Sequence, residues 1–161
     1  MRTLLNSILR IAQFLLVLIA TALIGNVRAS SAHDAAPINF AIFVCALSWI
    51  AVLYSLIANF VSALAIPIVA LALDGLATLF TFIGAVVLSA KLTSVNCDNW
   101  ESKPPSWIAF GSEKRCREIQ AGLVFMWFLF ATFAAAVVFT FREFRRNGGS
   151  VRGPSMSQIS A

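Results

Sequence analysis

Residues 38–90 carry one formal charge, Asp74, across an otherwise apolar run. At roughly 50 residues the run is too long for a single bilayer crossing, which needs about 20. A soluble helix needs a polar face along its length, and blocks this empty of charge would leave a soluble protein insoluble. The remaining charges gather in segments 1–10, 28–34, 91–118 and 142–152. Charged residues make up 12% of the chain and hydrophobic ones 60%, against about 25% and 45–50% in soluble domains. Lipid is the solvent that fits this pattern, and 161 residues make one domain.

Four spans are expected, at residues 8–27, 38–60, 64–90 and 119–141, within a membrane domain over 4–141. Asn59, Ser62 and Pro67 mark where the long apolar run folds back. Pro67 suits the opening of a new helix, where a missing N–H costs little. The second and third spans therefore read as a hairpin with almost no loop. The first segment has a rival reading as a signal peptide, with Arg2, Arg10 and a small-residue stretch at Ala29-Ser30-Ser31-Ala32. Its apolar part exceeds the usual ~7–15 residues of such a signal. Asn6, Arg10 and Gln13 also share one helical face, a stripe that a disposable signal does not need. The retained helix is the favoured reading. The fold class is thus all-α, a transmembrane four-helix bundle.

Four spans put both termini on one side. Lys and Arg number about six on each side, so the positive-inside rule does not decide the orientation. Arg142, Arg145 and Arg146 are concentrated at the end of the last span, whereas the 91–118 loop dilutes its basic residues with acids. That loop also holds Cys97 and Cys116. A disulfide between them suits an oxidising compartment and would contribute roughly 3 kcal/mol. The alternative is two free thiols. The favoured orientation places both termini in the cytosol and the long loop outside. No Asn-x-Ser/Thr sequon exists to test it.

Inside the spans, Asp74 is the one acid. A charge at the bilayer centre costs at least about 2.5–3.5 kcal/mol, so Asp74 should face the bundle interior or be protonated. Thr78 and Thr81 follow on its face, and Cys45, Ser48, Ser55 and Asn59 share a face of the second span. Together with Asn6, Arg10 and Gln13 they form a candidate interhelical polar seam. Arg10 lies toward one membrane end of its helix and is not assigned to Asp74. Asp74 reads either as a proton or ion relay or as a hydrogen-bonding residue that sets helix register. With no second acid, histidine or base in its own span, the structural reading is favoured.

The last span is crowded with aromatics: Phe125, Trp127, Phe128, Phe130, Phe133, Phe139 and Phe141. Such a stripe points to lipid contact or packing. Trp100 and Trp107 suit interfacial anchoring. Residues 142–161 read as a disordered basic cytosolic tail. Arg142, Arg145 and Arg146 are candidate headgroup contacts for an anionic inner leaflet, and Ser150, Ser155, Ser157 and Ser160 are candidate phosphosites.

The net charge of +5 and pI of about 9.7 do not indicate nucleic-acid binding, because the basic residues flank apolar blocks instead of forming a stripe. One histidine, His33, cannot build a bis-histidine haem or a histidine metal centre. The loop, with two thiols and no histidine, does not make a zinc site. Phosphate-loop, G-x-S-x-G and H-E-x-x-H motifs are missing. No catalytic residue, metal or cofactor is assigned.

Several short motifs in order carry a resemblance. They are Ile8-Leu9-Arg10-Ile11 with Gln13-Phe14, Ala58-Asn59-Phe60, Leu64-Ala65 with Pro67, Leu73-Asp74 with Leu76, and Phe80-Thr81-Phe82. Asn96-Cys97, Arg115-Cys116-Arg117, Gln120-Ala121 and the closing Ser157-Gln158-Ile159 continue it. Over nearly its whole length the chain resembles the fungal non-classical export protein family of MARVEL-type four-helix membrane proteins. The resemblance implies a plasma-membrane protein of eisosome-associated, furrow-like domains, with sphingolipid- and sterol-rich lipid, eisosome proteins and a homo-oligomer as expected partners. It further implies roles in eisosome assembly, sphingolipid-linked signalling and signal-independent export. Asp74, Asn59, Cys97 and Cys116 match family-typical positions. The short basic tail departs from the pattern and weakens any recruitment role for it. The expected function is a non-enzymatic membrane organiser. The alternative is a small proton- or ion-coupled transporter or channel using Asp74.

Overall fold

The computed structural model describes residues 2–31, 35–61, 66–92, 97 and 113–146. Its elements are four helices: α1 Arg2–Ser30, α2 Ala36–Phe60, α3 Pro67–Leu92 and α4 Glu113–Arg146. All four are long and apolar enough to cross a membrane. The first, for which the sequence also offers a signal-peptide reading, is as long and apolar as a crossing helix requires.

Proline sets two of the helix starts. Pro37 sits in the first turn of α2, where Ala35 is extended and its carbonyl accepts from the amides of Ile38 and Asn39. Pro67 opens α3, and the Ile66 carbonyl accepts from Val69 and Ala70. A fixed φ and an absent N–H suit the first helical position. Val61, extended, ends α2 by donating its amide to the Ile57 carbonyl. The α2–α3 connection therefore takes residues 61–66, longer than the near-loopless hairpin that the sequence implies. Pro67 begins the helix itself and does not fall several residues inside it.

The helices pack as a ring, each against two neighbours: α1 on α2, α2 on α3, α3 on α4, and α4 on α1. α1 and α3 lie on one diagonal of the bundle and α2 and α4 on the other, with no close backbone approach across either. The start of α1, the end of α2, the start of α3 and the end of α4 share one end of the bundle, and the opposite helix ends share the other.

Two apolar clusters fill the interior. Ile24, Val27, Ile38, Val44, Leu88, Ile119 and Met126 pack toward the loop end, around Cys97 and Cys116. Val17, Ala51, Val52, Ala77, Leu129 and Phe133 form the second cluster. Glycine permits close approach at two helix pairs. A Cβ at Gly84 would meet Met126 Cε at 2.6 Å, and one at Gly122 would meet Ile24 Cγ1 at 3.0 Å.

α4 has 34 residues, about 51 Å at 1.5 Å per residue, against a hydrocarbon core of about 30 Å. It projects beyond the core and carries Glu113–Glu118 at one end and Arg142–Arg146 at the other. Of its aromatics, Trp127, Phe128, Phe139 and Phe141 are exposed, Phe125 and Phe130 are half-buried, and Phe133 is fully buried. The stripe is therefore mainly outward, with Phe133 as its core-facing member.

Candidate functional site

The most unusual chemistry in the bundle interior lies on the α1–α3 diagonal. Arg10 Nη1 donates to Asp74 Oδ1 at 2.8 Å and Nη2 to Oδ2 at 2.5 Å, a two-pronged ion pair. Arg10 Nη1 also donates to Gln13 Oε1 at 3.0 Å, one turn along α1. Asp74 and Gln13 are 0% exposed and Arg10 3%. The parallel fork is the strongest carboxylate geometry a guanidinium offers. In hydrocarbon, where an unpaired ion is costly, each charge is the condition for the other.

Helical spacing alone does not join these two residues, because it leaves Asp74 near mid-membrane and Arg10 near an end. The helix starts correct this. Arg10 is eight residues into α1 and Asp74 seven into α3, roughly 12 and 10 Å from the same bundle end at 1.5 Å per residue. The pair stands at one depth, and the long arginine side chain spans a diagonal that the backbones do not. Gln13 Nε2, and on α2 Ser55 Oγ, are buried without a hydrogen-bond partner in the protein.

The rest of the expected seam divides. Thr78 Oγ1 donates to the Asp74 carbonyl at 2.6 Å, and Thr81 Oγ1 to the carbonyls of Ala77 at 2.6 Å and Thr78 at 3.0 Å. Ser48 likewise donates to Val44 O. These hydroxyls satisfy their own helices and do not bridge to a neighbour. Asn6 is half-buried, one turn before Arg10. Asn59 is not part of an interior seam: it is exposed, one residue from the end of α2. Helical spacing placed it on the right face, but the helix ends before that face is covered.

At the loop end, Cys97 and Cys116 form a disulfide with Cα atoms 5.8 Å apart, and both are buried. Arg115 donates to the Ser30 hydroxyl at 3.2 Å and to the Ser30 carbonyl, so α4's first turn caps the C-terminus of α1. A cation there meets the negative end of the helix dipole. Asn26 Nδ2 donates to Glu118 Oε1 at 2.8 Å across the same helix pair. Asn26 carries no signal in the sequence, and Arg115 enters there only within the Arg115-Cys116-Arg117 motif, without this role. Trp49 Nε1 donates to Thr21 Oγ1 at 3.0 Å, a bond that helical spacing does not indicate either. A tryptophan in the middle of an apolar span was the available signal, since its N–H needs a partner when buried.

At the opposite end Arg142, Arg145 and Arg146 are exposed on the last turns of α4, so residues 142–146 continue the helix and do not belong to a disordered tail as the sequence suggests. The Arg145 guanidinium lies over the Phe141 ring, 5.9 Å from its centroid. Ser150, Ser155, Ser157 and Ser160, with Trp100 and Trp107, lie outside the described residues. Among the described residues no three His, Cys, Asp or Glu side chains are grouped to hold a metal.

Known proteins agree with this architecture. Residues 3–139 match the MARVEL membrane-associating domain. Non-classical export protein 2 of Saccharomyces cerevisiae is 31% identical, over 99% of this chain and 100% of its own length. Its homolog 1 from the same yeast is 28% identical, over 89% of this chain and 83% of its own. The chain belongs to the non-classical export family of MARVEL proteins. No solved structure matches it significantly. The MARVEL segment takes in Arg10, Asp74 and both bonded cysteines, while Arg142, Arg145 and Arg146 lie beyond it.

Proposed function

We propose that this MARVEL protein is a non-enzymatic organiser of a plasma-membrane lipid domain, of the furrow-like, eisosome-associated kind, with a part in sphingolipid-linked signalling. The Arg10–Asp74 pair carries the reading. The one intramembrane acid is bound by a guanidinium at both oxygens and sealed from solvent, so it serves the bundle as a cross-brace and is not presented to a cargo. What remains available to partners is the outer surface: the lipid-facing aromatics of α4 and the arginines at its end. Both termini face the cytosol in this proposal, so the Arg142–Arg146 end meets the anionic leaflet and the Cys97–Cys116 bond faces the oxidising side. Sphingolipid- and sterol-rich lipid, eisosome proteins and further copies of the chain are the proposed partners.

Fluorescence localisation of the tagged chain, with the eisosome pattern of its null strain, tests this. The expected result is a patched distribution and altered furrow-like domains on deletion. Diffuse protein together with normal patterning in the null strain refutes it.

The yeast relatives' name supports a second reading, export of proteins without a signal peptide. It predicts retention of leaderless proteins in the null strain even where membrane domains are intact. Transport through Asp74 is the weaker alternative and predicts that Asp74→Asn abolishes proton-coupled flux in a protein that still folds.

A further inference from the structure

We propose that the groove between α3 and α4 holds one acyl chain of an anionic phospholipid whose headgroup is bound by Arg145. The proposal rests on the organiser reading only for its biological use. The groove is a cleft of about 360 Å³ on the membrane-facing side, lined by Gly75, Thr78, Leu79 and Phe82 of α3 and by Phe130 and Val137 of α4. Its one hydroxyl, on Thr78, already donates to the Asp74 carbonyl, so the lining is apolar in effect. Gly75 keeps it open, because a Cβ built there meets nothing within 4 Å. Phe82 and Phe130, with ring centroids 5.2 Å apart, close its inner end.

Charge complementarity selects the occupant. Phe130, Val137, Phe141 and Arg145 follow one another at spacings of seven, four and four, which keeps one face of α4. The face that lines the groove therefore leads to an exposed guanidinium, with Phe141 beneath it. Fifteen residues separate Phe130 from Arg145, roughly 22 Å of helix, on the order of the length of one extended acyl chain within half of a ~30 Å core plus its headgroup region. Phe82 against Phe130 and Gly84 against Met126 set an antiparallel register. That register carries the start of α3 at Pro67 alongside residues 143–145. The positive end of the α3 dipole thus adds to the field at Arg145.

The experiment uses the full chain, purified in detergent and mixed with phosphatidylserine or phosphatidylcholine, with retained lipid counted by native mass spectrometry. Wild type is expected to keep one phosphatidylserine in preference to phosphatidylcholine. Arg145→Gln, at an exposed position, should weaken that preference about fivefold, the worth of one basic residue at an anionic surface. Gly75→Leu puts a side chain into the groove from a position whose Cβ meets nothing within 4 Å, and should lower retention of both lipids. Gly25→Leu is the control, since Gly25 on α1 is equally open, and should change nothing. Equal retention of the two lipids by wild type, no effect of either Arg145→Gln or Gly75→Leu, or an equal loss in Gly25→Leu overturns the site. So does a fall in oligomer mass on Gly75→Leu, which would assign the groove to a second copy of the chain. Lipid loss in both variants with unchanged cellular localisation keeps the site and counts against the organiser reading alone.

Discussion

Asp74→Asn removes one charge and almost no volume from the bundle interior. It leaves Arg10, 3% exposed, with no counter-charge and only neutral acceptors, the introduced amide oxygen and Gln13 Oε1. A guanidinium cannot lose its proton in compensation, and removing one partner of a buried pair typically costs about 3–5 kcal/mol. That is a large share of the ~5–15 kcal/mol by which a domain is stable. Arg10→Met should cost less, about 2 kcal/mol, because an aspartic acid left alone can take up a proton and become neutral. In the double variant no charge remains to strand. It should be more stable than Asp74→Asn alone, with a coupling of at least about 2 kcal/mol. Unfolding in bicelles, followed by tryptophan fluorescence, measures all four corners of the cycle. Additive effects, each under about 1 kcal/mol, would show that Arg10 and Asp74 do not depend on each other and would remove the basis for the cross-brace.

Three further outcomes follow from other parts of the bundle. Cys116→Ser opens a link between residues 19 apart in sequence and should cost about 3 kcal/mol; a lowered midpoint that reductant reproduces in wild type, and a gel shift without reductant, check it. Gly122→Ala pushes on the β-branched Ile24, whereas Gly84→Ala pushes on the terminal methyl of Met126. The first should therefore lose about 1–2 kcal/mol and the second less, and equal losses in the same unfolding assay would contradict the packing described. Phosphorylation of Ser150, Ser155 or Ser157 should weaken attachment of the Arg142–Arg146 end to phosphatidylserine vesicles, since each phosphate adds about −1.5 to −2 charge; unchanged flotation of the modified chain with such vesicles refutes that effect.

The spans were legible because their cause is one-dimensional. A run such as residues 119–141, lacking any formal charge, has to sit in lipid wherever its neighbours are. The helix faces were legible for the same reason: helical spacing alone puts Arg10 beside Gln13 and Asp74 beside Thr78. Depth was not, because it depends on where each helix begins, and an uncertainty of three residues at Pro67 moves Asp74 by about 4.5 Å. Asn59 failed on the same point, lying on a buried face but one residue from the helix end. Adjacency was also hidden, since nothing in the pattern says that α1 and α3 face each other across the centre.

That diagonal placement is why the ion pair matters more than its two residues. Neighbouring helices in this ring hold together mainly through apolar packing and close glycine contacts, with polar contacts such as Trp49–Thr21 and Asn26–Glu118 between them. Such packing fixes who is adjacent but tolerates sliding, because lipid supplies no hydrophobic penalty for a modest shift. A two-pronged bond between opposite helices, confined to one layer, does not tolerate it. A one-turn slip of α1 moves Arg10 by about 5.4 Å, which breaks both contacts to Asp74 and strands two charges in hydrocarbon. The cost of the pair's burial therefore acts as a register lock for the bundle. It follows that conservative apolar changes along α1 should be tolerated at many positions, whereas Arg10→Lys should not be silent, since a point charge cannot reproduce the fork.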